Sequence, residues 1–189
     1  MDNYNLFNSD QFRSNDTEYY AYNLMHFFLD KYGYAILNIE EKILENFNHD
    51  YYNIIYIYNN PLINDVNVND LLEKIDLIKH RLKRQFFLFH QRILILAVNC
   101  TMDVSQVDIP KNVDIINVSD KTRLSDNSIL KEIYPEINDY PLELDPAILS
   151  YRLNYLSMNY IRKINQDFNK KDKYVSISLG VIIVILNLY

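Results

Sequence analysis

Apolar residues recur at helical spacing in the first part of the chain. The stretch Ser14 to Tyr32 opens with Ser, Asn, Asp and Thr, which favour helix N-termini, and then places apolar residues at Tyr20, Leu24, Phe27 and Phe28. Gly33 follows at a position suited to a left-handed C-terminal cap. This pattern predicts a first helix that ends before Gly33.

Further helices are predicted from the same spacing. Between Asp70 and Phe89 one apolar stripe indicates an amphipathic helix and consists of Leu71, Ile75, Ile78, Leu82, Phe86 and Phe89. Asp145 as N-cap and Pro146 at the first helical position predict a long helix with an apolar stripe that continues to about Phe168. A short helix is expected at Leu124 to Ile133, capped by Ser125 or Asp126.

Three apolar runs have the length of strands. Tyr51 to Tyr58 and Arg92 to Asn99 are rich in Ile, Leu and Tyr, and they flank the helix predicted at 70–89, which makes a strand, helix, strand unit. Val113 to Val118 supplies a third strand that can join a parallel sheet. The earlier stretch AILNIEEKILENF, residues 35–47, leaves two interpretations open: a short helix, or a strand that runs into a helix.

These elements together predict the fold class. We expect an α/β domain with a small, mostly parallel sheet flanked by helices, in a Rossmann-like three-layer arrangement. This domain would occupy residues 1–168, and residues 169–189 would form a basic flank followed by a hydrophobic tail.

The hydrophobic tail carries no charge. Lys170, Lys171 and Lys173 precede the segment Tyr174 to Tyr189, which is rich in Ile and Val. As a helix, this segment would span roughly 24 Å, against about 27 to 30 Å for the hydrocarbon core of a bilayer. The segment resembles a tail anchor whose lysines remain on the cytosolic side. The alternative is a strand or helix that is buried in the core of the domain.

Composition narrows the class of protein. The chain has 189 residues, a formal charge of -6 and 49% hydrophobic residues, so it can form one domain with an apolar core. An acidic balance without a block of Lys and Arg argues against a nucleic-acid-binding protein. The high Tyr count of 17 and the low Gly count of 2 indicate an AT-rich genome. The amino-terminal residues have the features of neither a secretory signal nor a transit peptide, which predicts a cytosolic amino terminus.

The chain lacks the motifs that identify common cofactor and metal sites. Gly33 and Gly180 follow no predicted turn from strand to helix, so neither a Walker A loop nor a dinucleotide-binding loop is expected. Cys100, the single cysteine, can form neither an intramolecular disulfide nor a cysteine-based zinc site. We expect no cofactor and no metal, and we interpret Cys100 as a buried, inert residue.

Polar side chains at the predicted strand ends are the candidates for a ligand site. In an open parallel sheet, ligands bind at the carboxyl ends of the strands, which here carry Asn59 and Asn99. The loop after the third strand, Ser119 to Arg123, adds a carboxylate, two cations and two hydroxyls, and its candidate ligand-binding residues are Asp120, Lys121, Thr122 and Arg123. Such a set can hold a phosphate or a sugar. The alternative is an ordinary polar loop.

Tyrosines on the last predicted helix also allow two interpretations. Tyr151, Tyr155 and Tyr160 alternate with Leu and Met. Aromatic residues are enriched at protein interfaces, but a Tyr and Leu stripe at helical spacing is more typical of a core. We favour the core.

Two functions from different classes remain, with a third hypothesis behind them. The first is a membrane-associated protein, bound through Tyr174 to Tyr189 to the cytoplasmic face of an intracellular membrane, that acts by binding another protein. The second is a transferase-like α/β enzyme of the cytoplasm that binds a nucleotide sugar or a phosphorylated ligand at its strand ends. The third is a chain that forms part of a larger fold, with the tail paired to a partner chain. The missing catalytic motifs favour the first.

Overall fold

A computed structural model describes residues 6–46, 48–59, 73–74, 76–77, 92–98, 109–118 and 127–158 of the chain. Within this part of the chain there are helices α1 (Ser9–Arg13), α2 (Asp16–Tyr32), α3 (Ser128–Ile133) and α4 (residues 146–158), and a 3-10 turn at Pro135–Asn138. The strands are β1 (Ala35–Asn38), β2 (Ile43–Glu45), β3 (Ile54–Tyr58), β4 (Ile93–Val98) and β5 (Val113–Val118). Residues 73–74 and 76–77 are also helical.

The strands form one mixed sheet in the order β1, β2, β3, β4, β5. The pairs of β3 with β4 and of β4 with β5 are parallel, as the three apolar runs predicted. The pairs of β1 with β2 and of β2 with β3 are antiparallel. The α/β class therefore holds, but the prediction of a mostly parallel sheet is wrong, because a hairpin precedes the parallel strands.

The hairpin of β1 and β2 replaces both interpretations of residues 35–47. The turn between the two strands is closed by a hydrogen bond from the Lys42 amide to the carbonyl of Ile39, at 3.3 Å. The Asn38 side chain also accepts the Glu41 amide at 3.2 Å. Lys42 has a φ of 51°, a left-handed conformation that lysine rarely adopts, so the left-handed position of this turn carries neither the Gly nor the Asn that would signal it in the sequence.

Helix α2 begins and ends as its sequence predicts. The Asn15 side chain accepts hydrogen bonds from the amides of Thr17 and Glu18, at 3.0 and 3.2 Å. At the other end, Gly33 is left-handed with a φ of 63°, and its amide donates to the carbonyl of Phe28.

Both faces of the sheet are buried. On one face, alternate residues of β3 and β4 pack with α2, α3 and α4, and this cluster includes Ile55, Ile57, Leu94, Leu96, Leu24, Phe28, Leu130 and Leu149. On the other face, the intervening residues form a second cluster around Ile54, Tyr56, Ile93 and Ile95. Strand β4 contributes residues to both clusters, and all six of its residues are buried, which fits a strand covered on its two faces.

The last two helices differ in how well their starts were predicted. For α3, the cap is Asn127, whose side chain accepts the Leu130 amide at 3.0 Å, so the choice of Ser125 or Asp126 is wrong. For α4, Asp145 caps the helix as predicted, since its carboxylate accepts the amides of Ala147 and Ile148 at 2.9 and 3.3 Å.

Several predicted features lie outside the described residues. They are Cys100, most of the helix predicted at 70–89, the part of the last helix beyond 158, and the hydrophobic tail. In the ranges that the structure does describe, no helix combines the length and the apolar character that crossing a bilayer requires.

Candidate functional site

The predicted ligand site is described at one position, Asn59, just after the carboxyl end of β3. Both polar atoms of the Asn59 side chain are buried, and neither has a hydrogen-bond partner among the described residues. They lie beside a small cavity of about 120 Å³, which Tyr56, Tyr58, Lys42 and Lys74 also line. A buried amide without a hydrogen-bond partner lowers the stability of a protein, so the Asn59 side chain is a candidate contact for a polar ligand.

The charged groups around Asn59 are paired with one another. Glu41 accepts the Tyr56 hydroxyl at 2.9 Å and forms an ion pair with Lys74 at 3.5 Å. Lys42 is buried and forms an ion pair with Glu18 at 3.0 Å. Because each lysine already has a carboxylate partner, the described residues offer a neutral amide here and no free cation for a phosphate.

The buried tyrosines of this region stay protonated. Burial, and then the hydrogen bond to Glu41, raise the pKa of Tyr56 far above its ordinary value. Burial, and to a lesser extent Glu18, raise the pKa of Tyr22 to about 12. Both hydroxyls therefore act as hydrogen-bond donors and not as bases at neutral pH.

The other predicted site residues are Asn99 and four residues of the loop after β5. Asn99 and the loop with Asp120, Lys121, Thr122 and Arg123 lie outside the described residues. We expect them to lie near Asn59, because β3, β4 and β5 are parallel and their carboxyl ends share one edge of the sheet.

Helix α4 has a second feature of functional interest, an exposed apolar face. We call this surface the α4 stripe and define it by the residues Ile148, Tyr151, Tyr155 and Met158, all of which are exposed. Their spacing of three, four and three places them along one side of the helix. The buried residues Leu149 and Leu153 lie on the opposite side and pack in the core.

The prediction that the tyrosines of this helix lie in the core is wrong for Tyr151 and Tyr155. Tyr151 is 72% exposed and Tyr155 is 56% exposed. The residues of the same helix that pack in the core are leucines, and Leu149 and Leu153 are fully buried. Tyr160 lies outside the described residues. Contiguous exposed apolar side chains of this kind are typical of interaction surfaces.

Helix α4 is held firmly in place, which keeps the α4 stripe in a fixed orientation. The Asn154 side chain accepts the backbone amides of Leu6 and Phe7 at 2.8 and 3.2 Å, and it donates to the carbonyl of Phe7 at 2.9 Å. Ser150 also donates to the carbonyl of Phe7, at 2.7 Å. These hydrogen bonds join α4 to the first described residues of the chain.

A group of metal-ligating side chains would be another kind of candidate site. Among the described residues, no group of three His, Cys, Asp or Glu side chains is arranged to hold a metal ion.

Comparisons with the models of known protein families and with curated proteins find no match to this chain. The functional proposal therefore depends on the geometry of the α4 stripe and on the sequence of the tail.

Proposed function

We propose that this protein is bound to the cytoplasmic face of an intracellular membrane through residues 174–189 and acts there by binding another protein. The observation that carries the proposal is the α4 stripe, in which four apolar side chains are exposed on one face of a helix. A folded domain rarely leaves such a row of Ile, Tyr and Met open to water without a partner.

The spacing of the α4 stripe favours a particular kind of partner. The side chains of Ile148, Tyr151, Tyr155 and Met158 follow the spacing at which helices place their anchors in an apolar groove. Tyrosine suits such a contact, since its ring buries a large area while its hydroxyl remains at the polar rim. We therefore propose a protein partner with an apolar groove that takes the exposed face of α4.

The membrane part of the proposal is supported by the sequence of the tail. Residues 174–189 are uncharged, and Lys170, Lys171 and Lys173 precede them, as expected when lysines remain at the cytosolic surface. Two acidic residues inside the segment, in the variant Ile183→Asp with Ile185→Asp, would each oppose insertion by about 2.5 to 3.5 kcal/mol.

The membrane part is tested by cell fractionation of the full chain. After an alkaline carbonate wash, we expect the natural chain to remain in the membrane pellet and the double aspartate variant to be released. The matched control, Ile183→Leu with Ile185→Leu, keeps the segment apolar and should stay in the pellet. Release of all three proteins would exclude a membrane anchor.

The binding part is tested with substitutions in the α4 stripe. Tyr151→Ala and Tyr155→Ala should each weaken the complex by about thirtyfold if the tyrosines are anchors of the contact, because such truncations cost about 2 kcal/mol or more. The control variants Lys131→Ala and Glu143→Ala change exposed residues outside α4 and should leave the complex unchanged. Equal binding by all four variants would contradict the proposal.

A second candidate function rests on Asn59. The buried amide of Asn59, which has no hydrogen-bond partner among the described residues, supports a ligand site of a transferase-like enzyme at the carboxyl end of β3. Asp120, Lys121 and Arg123, from the loop that follows β5 in sequence, would complete this site. The variants Asn59→Ala, Lys121→Ala and Arg123→Ala should then fold normally and lose binding of a nucleotide sugar. Unchanged binding, or no binding by the natural chain, would exclude this enzyme.

A further inference from the structure

A larger cavity lies near the opposite ends of the parallel strands, beside the loop that leads into β3. It has a volume of about 440 Å³ and is lined by the rings of Tyr32, His49 and Tyr51 and by the carboxylates of Asp50 and Glu132. This size is within the range of cavities that bind small ligands.

The loop before β3 is built by hydrogen bonds that fix the position of His49. The Asn46 side chain donates to the carbonyl of Tyr32 at 2.8 Å, and its backbone carbonyl accepts the His49 amide at 3.2 Å. The Nδ1 atom of His49 accepts the backbone amides of Tyr51 and Tyr52, both at 3.2 Å. These hydrogen bonds connect the loop that lines the cavity to Tyr32, the last residue of α2.

His49 contributes a neutral ring to the cavity. An Nδ1 atom that accepts two amides carries no proton, so the proton of the neutral imidazole is on Nε2. Burial also lowers the pKa of His49, in agreement with this protonation state. The ring stacks on Tyr134, with centroids 5.3 Å apart, and adds no positive charge that would repel a cation.

Two tyrosine rings at the cavity are suited to contact with a positive charge. Tyr32 is held edge-on against Tyr134, with centroids 4.8 Å apart, and its hydroxyl donates to Glu136. Tyr51 already binds one cation of the chain, since the Arg92 guanidinium lies 4.1 Å from its ring centroid. The ring of Tyr51 can therefore hold a guanidinium group, but Arg92 occupies one face of it, so a ligand cation would have to contact the other face.

The charge of the cavity has the sign that a cation requires. Neither Asp50 nor Glu132 forms an ion pair with any described residue, and the described lining contains no Lys or Arg. Arg92, which contacts the Tyr51 ring, is itself paired with Asp114 at 3.4 Å. Glu136 adds a third carboxylate through its contact with Tyr32. The lining combines aromatic rings with negatively charged carboxylates, and the electrostatic potential of such a lining favours a positively charged ligand.

We propose that this cavity binds an organic cation, an ammonium or guanidinium group, which contacts the rings of Tyr32 and Tyr51 and is neutralised by Asp50 and Glu132. The same head group occurs on small amines and on the basic side chains of proteins, and the experiment below separates these two sources. The proposal does not depend on the α4 stripe or on the tail.

The test is a titration of the full chain, labelled with 15N and held in a nonionic detergent. The probes are ethylammonium, ethylguanidinium and an acetylated Gly-Arg-Gly amide, each compared with NaCl at equal ionic strength. We expect saturable shifts of the amide resonances of residues 48–51 and 132 at millimolar probe. Saturation by the small cations supports a free amine as a ligand, and saturation by the peptide alone supports a basic side chain.

Variants decide whether the proposed groups are responsible. Asp50→Asn with Glu132→Gln should weaken binding about fivefold to tenfold, as expected for the loss of two partly exposed ion pairs. Tyr51→Leu should weaken it as well, whereas Glu143→Gln, an exposed carboxylate elsewhere, should not change it. The proposal is overturned if no probe gives saturable shifts, or if the double variant binds as tightly as the natural chain.

Discussion

Asn154 and Phe7 form a reciprocal pair of hydrogen bonds across the fold: the Asn154 side chain accepts the Phe7 amide at 3.2 Å and donates to its carbonyl at 2.9 Å. The Asn154 amide thus satisfies the backbone of a residue that is far away in sequence. Phe7 is buried in the core and contacts the ring of Tyr22, with centroids 5.6 Å apart. The pair therefore joins the first described residues to α4.

The first prediction concerns this pair. Asn154→Ala leaves the amides of Leu6 and Phe7 and the Phe7 carbonyl with fewer partners, and we expect a loss of about 2 kcal/mol in the free energy of unfolding. Chemical denaturation measures this change. Asn138→Ala, which removes one exposed hydrogen bond to the Pro135 carbonyl, is the control and should cost less than about 1 kcal/mol. Equal losses would argue against the special role of Asn154.

The second prediction compares two buried tyrosines that share a hydrogen bond. Tyr34 donates its proton to the Tyr52 carbonyl at 2.6 Å, so Tyr134 must be the donor in the contact between the Tyr34 and Tyr134 hydroxyls, at 2.8 Å. Tyr34→Phe leaves both the Tyr134 donor and the Tyr52 carbonyl without this partner.

The order of the two effects is the test. We expect Tyr34→Phe to destabilise the protein by about 2 kcal/mol and Tyr134→Phe by about 1 kcal/mol, because the latter leaves only an acceptor unpaired. Thermal or chemical unfolding of the two variants gives the comparison. A larger loss in Tyr134→Phe would mean that the proton is arranged the other way.

The third prediction concerns the end of α2. Gly33 has a φ of 63°, and apart from its chain neighbours no described residue has an atom within 4 Å of a Cβ added there. The cost of Gly33→Ala is therefore backbone strain alone, about 1 kcal/mol. Gly33→Asn should cost less, since asparagine tolerates the left-handed conformation better. Similar unfolding free energies for the natural chain and the alanine variant would contradict this explanation of the cap.

The fourth prediction is a pH dependence that arises from His26. Its side chain is 1% exposed and contacts the Tyr140 hydroxyl through Nδ1. The pKa of His26 is lowered to about 4, mainly by burial, which Asp30 opposes and to which Arg152 and Lys31 add. In the unfolded chain this pKa is about 6.5. As the pH falls below about 6.5, the unfolded state takes up a proton that the folded state does not bind, so stability decreases.

The size of this effect can be measured above the range in which most carboxylates titrate. From pH 7.5 to pH 5.5 we expect His26 to lower the free energy of unfolding by about 1.3 kcal/mol. Burial lowers the pKa of His49 too, so its effect has the same sign. His26→Gln should reduce the slope, and His49→Gln should retain the part due to His26. An unchanged slope in His26→Gln would contradict the assignment.

Much of the fold follows from local signals in the sequence. Asn15 and Gly33 mark the ends of α2, and Asp145 with Pro146 marks the start of α4, because caps depend on side chains close in sequence. The three parallel strands are long apolar runs, which local pattern also identifies. The hairpin was missed because its left-handed turn residue is Lys42, a residue type that does not signal such turns.

The candidate surfaces were harder to predict. Helix α4 has apolar residues on two sides, and hydropathy alone cannot tell that Leu149 and Leu153 enter the core while Tyr151 and Tyr155 remain exposed. The cavity at His49 depends on contacts between distant elements, the end of α2, the loop before β3 and α3. The position of Asn59 at a strand end was predictable, whereas only the structure shows that its buried amide has no partner among the described residues.

The central claim is that the α4 stripe binds a protein, and site-specific photocrosslinking in native cells tests it most directly. A photoreactive amino acid is placed, one position at a time, at Ile148, Tyr151, Tyr155 and Met158, and at the control positions Lys131 and Glu143. The account predicts one adduct of the same mass from the four stripe positions, and none from the controls. Adducts that are equally abundant at all six positions, or absent from the stripe, would contradict it.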